Sequence, residues 1–251
     1  NAFDERAVAR IFEAKARPTF DPLIVHIARL EDILILAEEV PENAWTLARC
    51  LWPGPLTIIL PKRREVPDIV TAGLSTVAVR FPSHPVARRI IELAQIPIAA
   101  PSANPFGYLS PTTAAHVIAM LGERIDYLVD GGPCDVGIES TVIDMTAARP
   151  ALLRPGGMPL ERIEELIGLV DIPGQGELSA DECLNGAKAQ GMLRSKPGFE
   201  RAETKGLSYP LKSPGQGLSH YAPSTPLFLF DEGSLPEAVK RKGLLHPCIA
   251  L

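Results

Sequence analysis

Short apolar segments alternate with helix-forming patterns through the first 172 residues, and turn-forming residues separate them. The pattern predicts strands at 22–27, 56–60, 76–81, 96–100, 126–129, 140–144, 151–154 and 168–172. It predicts helices at 4–15, 30–39, 42–51, 85–95, 112–121 and 159–167. Several strands follow one another without a helix between them. This irregular order favours an α/β fold with a twisted mixed sheet over a regular doubly wound one.

The rest of the chain predicts a different organisation. Residues 173–223 are rich in Gly, Pro, Lys and Ser and show little periodicity, which is typical of a linker. The apolar run at 226–230 and the helical pattern at 234–242 predict the first βα unit of another α/β domain. We therefore expect one domain over 1–172, a linker over 173–223 and the start of a second, truncated domain over 224–251.

Charge and cysteine content narrow the class of protein. The formal net charge of −5 argues against broad coating of nucleic acid. No apolar run approaches the roughly 18 residues that a membrane-spanning helix needs, and no secretory signal pattern is present. The cysteines are scattered and form no pair at metal-ligand spacing, which favours a reduced, cytoplasmic protein without a metal site of its own. They are Cys50, Cys134, Cys183 and Cys248.

Cationic residues occur in two segments where a ligand could bind. Lys15 and Arg17 lie two residues apart in the predicted turn after the first helix, either as a surface pair or as a grip for phosphate or carboxylate. In the segment TVAVRF, strand alternation places Thr76, Ala78 and Arg80 on one face. Because an unpaired buried charge is costly, Arg80 either faces solvent or lines a cavity that receives an anion.

Small polar residues follow the apolar run that ends at residue 100. Ser102, Asn104 and Ser110 could let a phosphate approach a helix N-terminus closely. They could equally shape a turn and cap the helix that follows.

Three further polar residues occupy strand ends. His26 ends the strand PLIVHI, as a satisfied core residue or as a ligand-binding residue. Ser140 lies at a strand start after a glycine-containing loop, and Arg154 follows a short strand before a Pro-Gly turn. Ligands in open α/β sheets bind beyond strand ends, so these positions are candidates for one site.

Six segments resemble the YrdC-like family, and they occur in the family's order. They are KARPTFDPLIVHI, LWPGPLTIIL, TVAVRFPSHP, PSANPFGYLSPTT, GIESTVID and LLRPGG. The later segment SPGQGLSHYAP, at 213–223, is similar to the linker motif of the longer, two-domain members. The resemblance implies a twisted α/β sheet around a large basic cavity.

The family's chemistry is adenylate formation. The resemblance implies synthesis of L-threonylcarbamoyl-AMP and pyrophosphate from L-threonine, bicarbonate or CO2, and ATP, with Mg²⁺ accompanying the phosphates. The product would pass to a tRNA threonylcarbamoyl transferase complex in the cytoplasm, and direct contact with RNA stays open. Two alternatives also stay open: a carbamoyl-adenylating domain like those of hydrogenase maturation factors, and a non-catalytic module that binds double-stranded RNA.

The resemblance also implies site residues at matching positions. Lys15 and Arg17 would act on the ATP phosphates as catalytic residues. The residues expected to bind ATP are Lys15, Arg17, Asp21, Thr76, Ser102, Asn104, Ser110, Arg154 and Tyr221. Those expected to bind threonine are His26, Arg80, Ala100 (through its backbone) and Ser140.

Three departures from the family pattern bear on that expectation. Ala16 stands where glycine is usual, and Asp21 stands where asparagine is common. The N-terminal family motif expected to contact threonine and nucleotide is not found before Asn1. We therefore expect the catalytic domain to be incomplete at its N-terminus.

Overall fold

The computed structural model describes residues 1–173. Two predicted features lie outside these described residues: the linker with its Tyr221, and the second domain. Within residues 1–173, none of the helices combines the length and apolar character that crossing a bilayer requires.

Residues 1–173 contain six α-helices, and local sequence explains several of their ends. The Asp4 carboxylate caps the first helix by accepting from the backbone N–H groups of Arg6 and Ala7, and Thr113 caps the fifth helix. Pro85 opens the fourth helix, where its missing N–H costs nothing. The helices are α1 (Glu5–Lys15), α2 (Glu42–Leu51), α3 (Asp68–Thr71), α4 (Pro85–Ala94), α5 (Ala114–Leu121) and α6 (Leu160–Ile167).

The sheet has six strands in the order β4-β1-β3-β2-β5-β6. Pairs β1/β3 and β2/β5 are parallel, and the other neighbours are antiparallel. The predicted mixed sheet is therefore confirmed. The strands are β1 (Ile24–His26), β2 (Leu56–Pro61), β3 (Thr76–Arg80), β4 (Ile98–Ala99), β5 (Thr141–Asp144) and β6 (Ala151–Arg154).

Three local predictions were wrong. Residues 126–129 form no strand, because no neighbouring strand pairs with them and Tyr127 is 92% exposed. The predicted helix 30–39 is a 3-10 helix over Leu30–Ile35, and 168–172 contributes only a single bridge from Asp171 to Ala151. The short helix α3 was not predicted.

The two faces of the sheet do different work. On one face, Val25, Ile58 and Val79 join the main hydrophobic core, onto which α1, α2 and α6 pack. On the other face, a small buried cluster contains Ile24 and Ala78, with Ile59 and Val142 beside them. Because side chains alternate along each strand, one face of the sheet packs into the main hydrophobic core and the other forms the floor of a cavity.

Candidate functional site

A cavity of about 190 Å³ lies on this second face of the sheet. Strand register brings its walls together, because β1 and β3 place His26 beside Arg80, and β5 and β6 place Val142 beside Arg154. The loop after β4 supplies another wall. The lining residues are Arg17, Ile24, His26, Arg80, Ala100, Pro101, Ser102, Glu139, Ser140 and Arg154.

Backbone carbonyls hold the three arginines of the cavity in place. Arg17 donates from Nε to the Asp21 carbonyl (3.1 Å) and from Nη2 to the Pro22 carbonyl (2.8 Å). Arg80 Nε donates to the Gly54 carbonyl at 3.2 Å. Three guanidinium groups from distant segments therefore face one small volume.

Ser140 supplies several of the contacts that hold Arg154. Arg154 Nε and Nη2 donate to the Ser140 carbonyl at 3.1 and 2.9 Å, and Nη2 also donates to Ser140 Oγ at 3.1 Å. Ser140 Oγ lies 2.7 Å from Thr57 Oγ1, so this buried hydroxyl is already part of a hydrogen-bonded network. The network presents Arg154 to the cavity in one orientation.

Burial and mutual repulsion shape the ionisation of the site. Burial is the main cause that lowers the pKa of Arg80, Arg154 lowers it further, and Glu139 opposes the shift. An arginine nevertheless stays charged at neutral pH. Burial and the Arg80 charge lower the pKa of His26 to about 4, so His26 is a neutral imidazole. Three guanidinium groups against one carboxylate leave the lining positive.

Lys15 and Asn104 build the turn that carries Ser102. Lys15, only 4% exposed, donates from Nζ to the carbonyls of Ser102 and Asn104. The Asn104 amide donates to the carbonyls of Pro105 (3.1 Å) and Tyr108 (2.7 Å). Burial, followed by Arg17, lowers the pKa of Lys15 to about 8. Neither side chain lines the cavity, so both hold the turn in this structure.

Asp21 lies behind Arg17 and is fully buried. Its Oδ2 forms an ion pair with Arg17 Nη2 at 3.0 Å, and by hydrogen-bond geometry neither carboxylate oxygen has a partner among residues 1–173. Burial raises the pKa of Asp21 to about 6, against the pull of Arg17, Arg154 and Lys15. Asp21 does not line the cavity.

The structure brings most, though not all, of the predicted binding residues to one place. Thr76 shares the face of Arg80 but lies at the other end of β3, about 13 Å away at strand spacing. Ser110 is not a lining residue, but its Oγ donates a hydrogen bond to Glu139, which is one. The backbone N–H of Ala100 donates to the Ile24 carbonyl at 3.0 Å, which fixes this residue at the cavity wall. The predicted residues that line the cavity are Arg17, His26, Arg80, Ala100, Ser102, Ser140 and Arg154.

Glu139 and Thr57 were not predicted as site residues. Glu139 lines the cavity and accepts a hydrogen bond from Ser110 Oγ to Oε1 at 2.6 Å. Its backbone passes so close to Gly156 that a Cβ there would lie 2.4 Å from the Glu139 carbonyl oxygen. The available signal was its position directly before Ser140 in GIESTVID. Within residues 1–173, no three His, Cys, Asp or Glu side chains group as a metal site.

The family model described as telomere recombination, Sua5_yciO_yrdC, matches residues 1–156. The threonylcarbamoyl-AMP synthase of Pyrococcus abyssi is 54% identical over 193 residues, which are 76% of this chain and 56% of that protein. The Bacillus subtilis protein of the same name is 43% identical, over 96% of this chain and 61% of that protein.

A solved structure agrees with the sequence comparisons. The structure of P. abyssi Sua5 complexed with L-threonine superposes with a TM-score of 0.74 at 47% identity, covering 89% of this chain and 58% of that one. The chain thus spans little more than half the length of these relatives.

Proposed function

This chain belongs to the Sua5/YciO/YrdC family, and we propose that it forms L-threonylcarbamoyl-AMP and pyrophosphate from L-threonine, bicarbonate or CO2, and ATP. The observation that carries the proposal is the convergence of Arg17, Arg80 and Arg154 on one cavity. Such a positive cavity suits a reaction in which a carboxylate and a triphosphate must meet. The names of the curated relatives support the same reaction.

Threonine would occupy the part of the cavity formed by β1 and β3. Arg80 would receive its carboxylate, since a guanidinium fork matches carboxylate geometry. Neutral His26, whose buried Nδ1 has no hydrogen-bond partner within residues 1–173, is suited to the threonine hydroxyl. The Ala100 carbonyl and Ser140 would complete the contacts on either side.

ATP would place its phosphates against Arg17 and Arg154. Ser102 would contact the nucleotide directly, and Lys15 and Asn104 would act by holding its turn. Contacts from Asp21, Thr76, Ser110 and Tyr221 remain predictions that rest on the resemblance. Mg²⁺ would arrive with the phosphates, held by phosphate oxygens and water, because the described residues offer no cluster of ligands for it.

The reaction needs no covalent enzyme intermediate. The threonine amine attacks bicarbonate and releases water, which gives an N-carboxylate. That carboxylate attacks the α-phosphorus of ATP, and pyrophosphate leaves with the electrons of the broken P–O bond. The chain would contribute proximity between two anions and electrostatic stabilisation from its guanidinium groups. The product would then serve tRNA modification in the cytoplasm through a separate transferase complex.

Arg80→Ala tests the proposal most directly. We expect threonine binding to weaken by about 2–5 kcal/mol, the usual loss when one member of a buried charge pair is removed. Titration calorimetry with threonine measures the loss, and pyrophosphate release from ATP, threonine and bicarbonate measures turnover. Arg162→Ala, which removes an exposed arginine from α6, is the matched control. Equal threonine affinity in wild type and Arg80→Ala contradicts the assignment.

A further inference from the structure

The cavity contains a carboxylate that the proposed anion contacts do not use. Glu139 is the acidic residue among the lining residues of the described chain, and it faces the same volume as Arg17, Arg80 and Arg154. Its charge opposes the lowering of the pKa of Arg80 and of Lys15, so it lies within electrostatic reach of both. It forms no ion pair with either of them among residues 1–173.

The backbone of Glu139 is fixed independently of any ligand. Gly157 donates its N–H to the Glu139 carbonyl at 2.8 Å, and the close approach of Gly156 leaves no room for a side chain between the two segments. Oε1 accepts from Ser110 Oγ, which sets the direction of the carboxylate. The hydrogen bonds of the described residues leave Oε2 without a protein partner. A charged group so placed is preorganised for something in the cavity.

The charge of Glu139 indicates that its partner in the cavity is a positively charged group. A carboxylate beside a bound triphosphate is repelled, so a cavity for anions alone would be better without Glu139. A ligand group of positive charge reverses the sign of that interaction. Among the proposed substrates, the α-ammonium of the amino acid carries this charge, a short distance from the carboxylate that Arg80 would receive.

We propose that Glu139 binds the α-ammonium group of the amino-acid substrate while Arg80 binds its carboxylate, which makes Glu139 a specificity-determining residue. This inference rests on the proposed function. The two side chains line one cavity and do not neutralise each other, so each is available to one end of a zwitterion. The site then selects α-amino acids over simple carboxylates of the same shape.

The test compares L-threonine with 3-hydroxybutyrate, which is threonine without its amino group. Both are titrated calorimetrically into the full chain without ATP or Mg²⁺. We expect wild type to bind threonine at least about tenfold more tightly than 3-hydroxybutyrate, and Glu139→Gln to reduce that ratio to about threefold or less. The ratio must fall because threonine binds more weakly, whereas the affinity of Glu139→Gln for 3-hydroxybutyrate must not fall, because a neighbouring negative charge has been removed; this second result shows that the cavity is intact.

The matched control is Asp135→Asn, the same charge change at an exposed position of the same loop. It should keep the wild-type ratio. If Glu139→Gln keeps the wild-type ratio of threonine to 3-hydroxybutyrate affinity, the inference is overturned. It is also overturned if the substitution changes this ratio only in the presence of Mg²⁺ and ATP, because Glu139 would then act on the metal. If the wild-type protein binds threonine no more than threefold more tightly than 3-hydroxybutyrate, the inference is overturned before any variant is measured.

The outcomes separate this inference from the reaction itself. If threonine binding depends on Arg80 and pyrophosphate is released, the proposed reaction stands whatever Glu139 does. A wild-type protein that binds no threonine overturns both.

Discussion

Asp21→Asn should abolish a pH-dependent loss of stability in this domain. Asp21 is fully buried, its oxygens accept no hydrogen bond from residues 1–173, and its ion-pair partner is Arg17, with Arg154 and Lys15 also acting on its charge. The raised pKa, about 6, means that burial destabilises the ionised form more than the nearby cations stabilise it. Asparagine keeps the shape and can turn its carbonyl oxygen towards Arg17, but it carries no charge.

The size and sign of this stability change follow from the linkage between proton binding and folding. The pKa of Asp21 is 3.8 in the unfolded reference and about 6 in the folded protein, so the folded state binds more protons between these values. Stability from this group is therefore complete below pH 3.8 and is lost as pH rises through 6. The full loss is about 3 kcal/mol, of which about two-thirds falls between pH 4.5 and 7.5.

Urea unfolding from pH 4.5 to 7.5 measures the effect. Both tryptophans of the chain, Trp45 and Trp52, lie in the described domain, so their fluorescence reports its unfolding. The free energy of unfolding of Asp21→Asn minus that of wild type should rise by about 2 kcal/mol across this range. The exposed-site control Asp135→Asn should give a flat difference. A flat difference for Asp21→Asn, or one that falls with pH, refutes the reasoning.

Two further changes test the turn between α1 and β1. Ala16 adopts a left-handed conformation (φ 49°), so Ala16→Gly should raise the free energy of unfolding by about 1 kcal/mol, whereas Ala14→Gly inside α1 should lower it by about 0.5–1 kcal/mol. A lower thermal midpoint for Ala16→Gly contradicts this. Lys15→Met leaves the carbonyls of Ser102 and Asn104 without their buried donor, which should cost about 2 kcal/mol and weaken binding of a non-hydrolysable ATP analogue about tenfold or more. Unchanged urea stability would show that Lys15 does not hold the turn.

Patterns that act within a few residues predicted the fold well. Asp4 marked the start of α1, and alternation in TVAVRF correctly separated Val77 and Val79 from Arg80. The strand predicted at 126–129 failed because apolar letters make a strand only where a neighbouring strand is available to pair. Residues 126–129 are instead exposed and pair with no strand among residues 1–173, and this depends on tertiary structure that local propensity does not capture.

Part of the site could be predicted from the sequence, because a charged residue within an apolar strand must either face solvent or line a cavity. Arg80 interrupts the apolar pattern of its strand, and the structure shows that it lines the cavity. Lys15 was harder to interpret, because its spacing to Arg17 suggests a shared ligand, whereas its ammonium turns inward to a loop 87 residues later. Glu139 was also missed because its role depends on tertiary contacts. The arginines around it come from three distant segments of the chain.

Orientation by neutral carbonyls explains how this cavity keeps its charge. Arg80 is held by the Gly54 carbonyl and Arg154 by that of Ser140. A carbonyl fixes a cation without cancelling it, whereas a carboxylate does both. Arg17 is also held by carbonyls, but the Asp21 carboxylate lies against it as well, and burial raises the pKa of that carboxyl to about 6. Because the protein orients these groups before any ligand arrives, their remaining positive charge is available to stabilise the anions that enter.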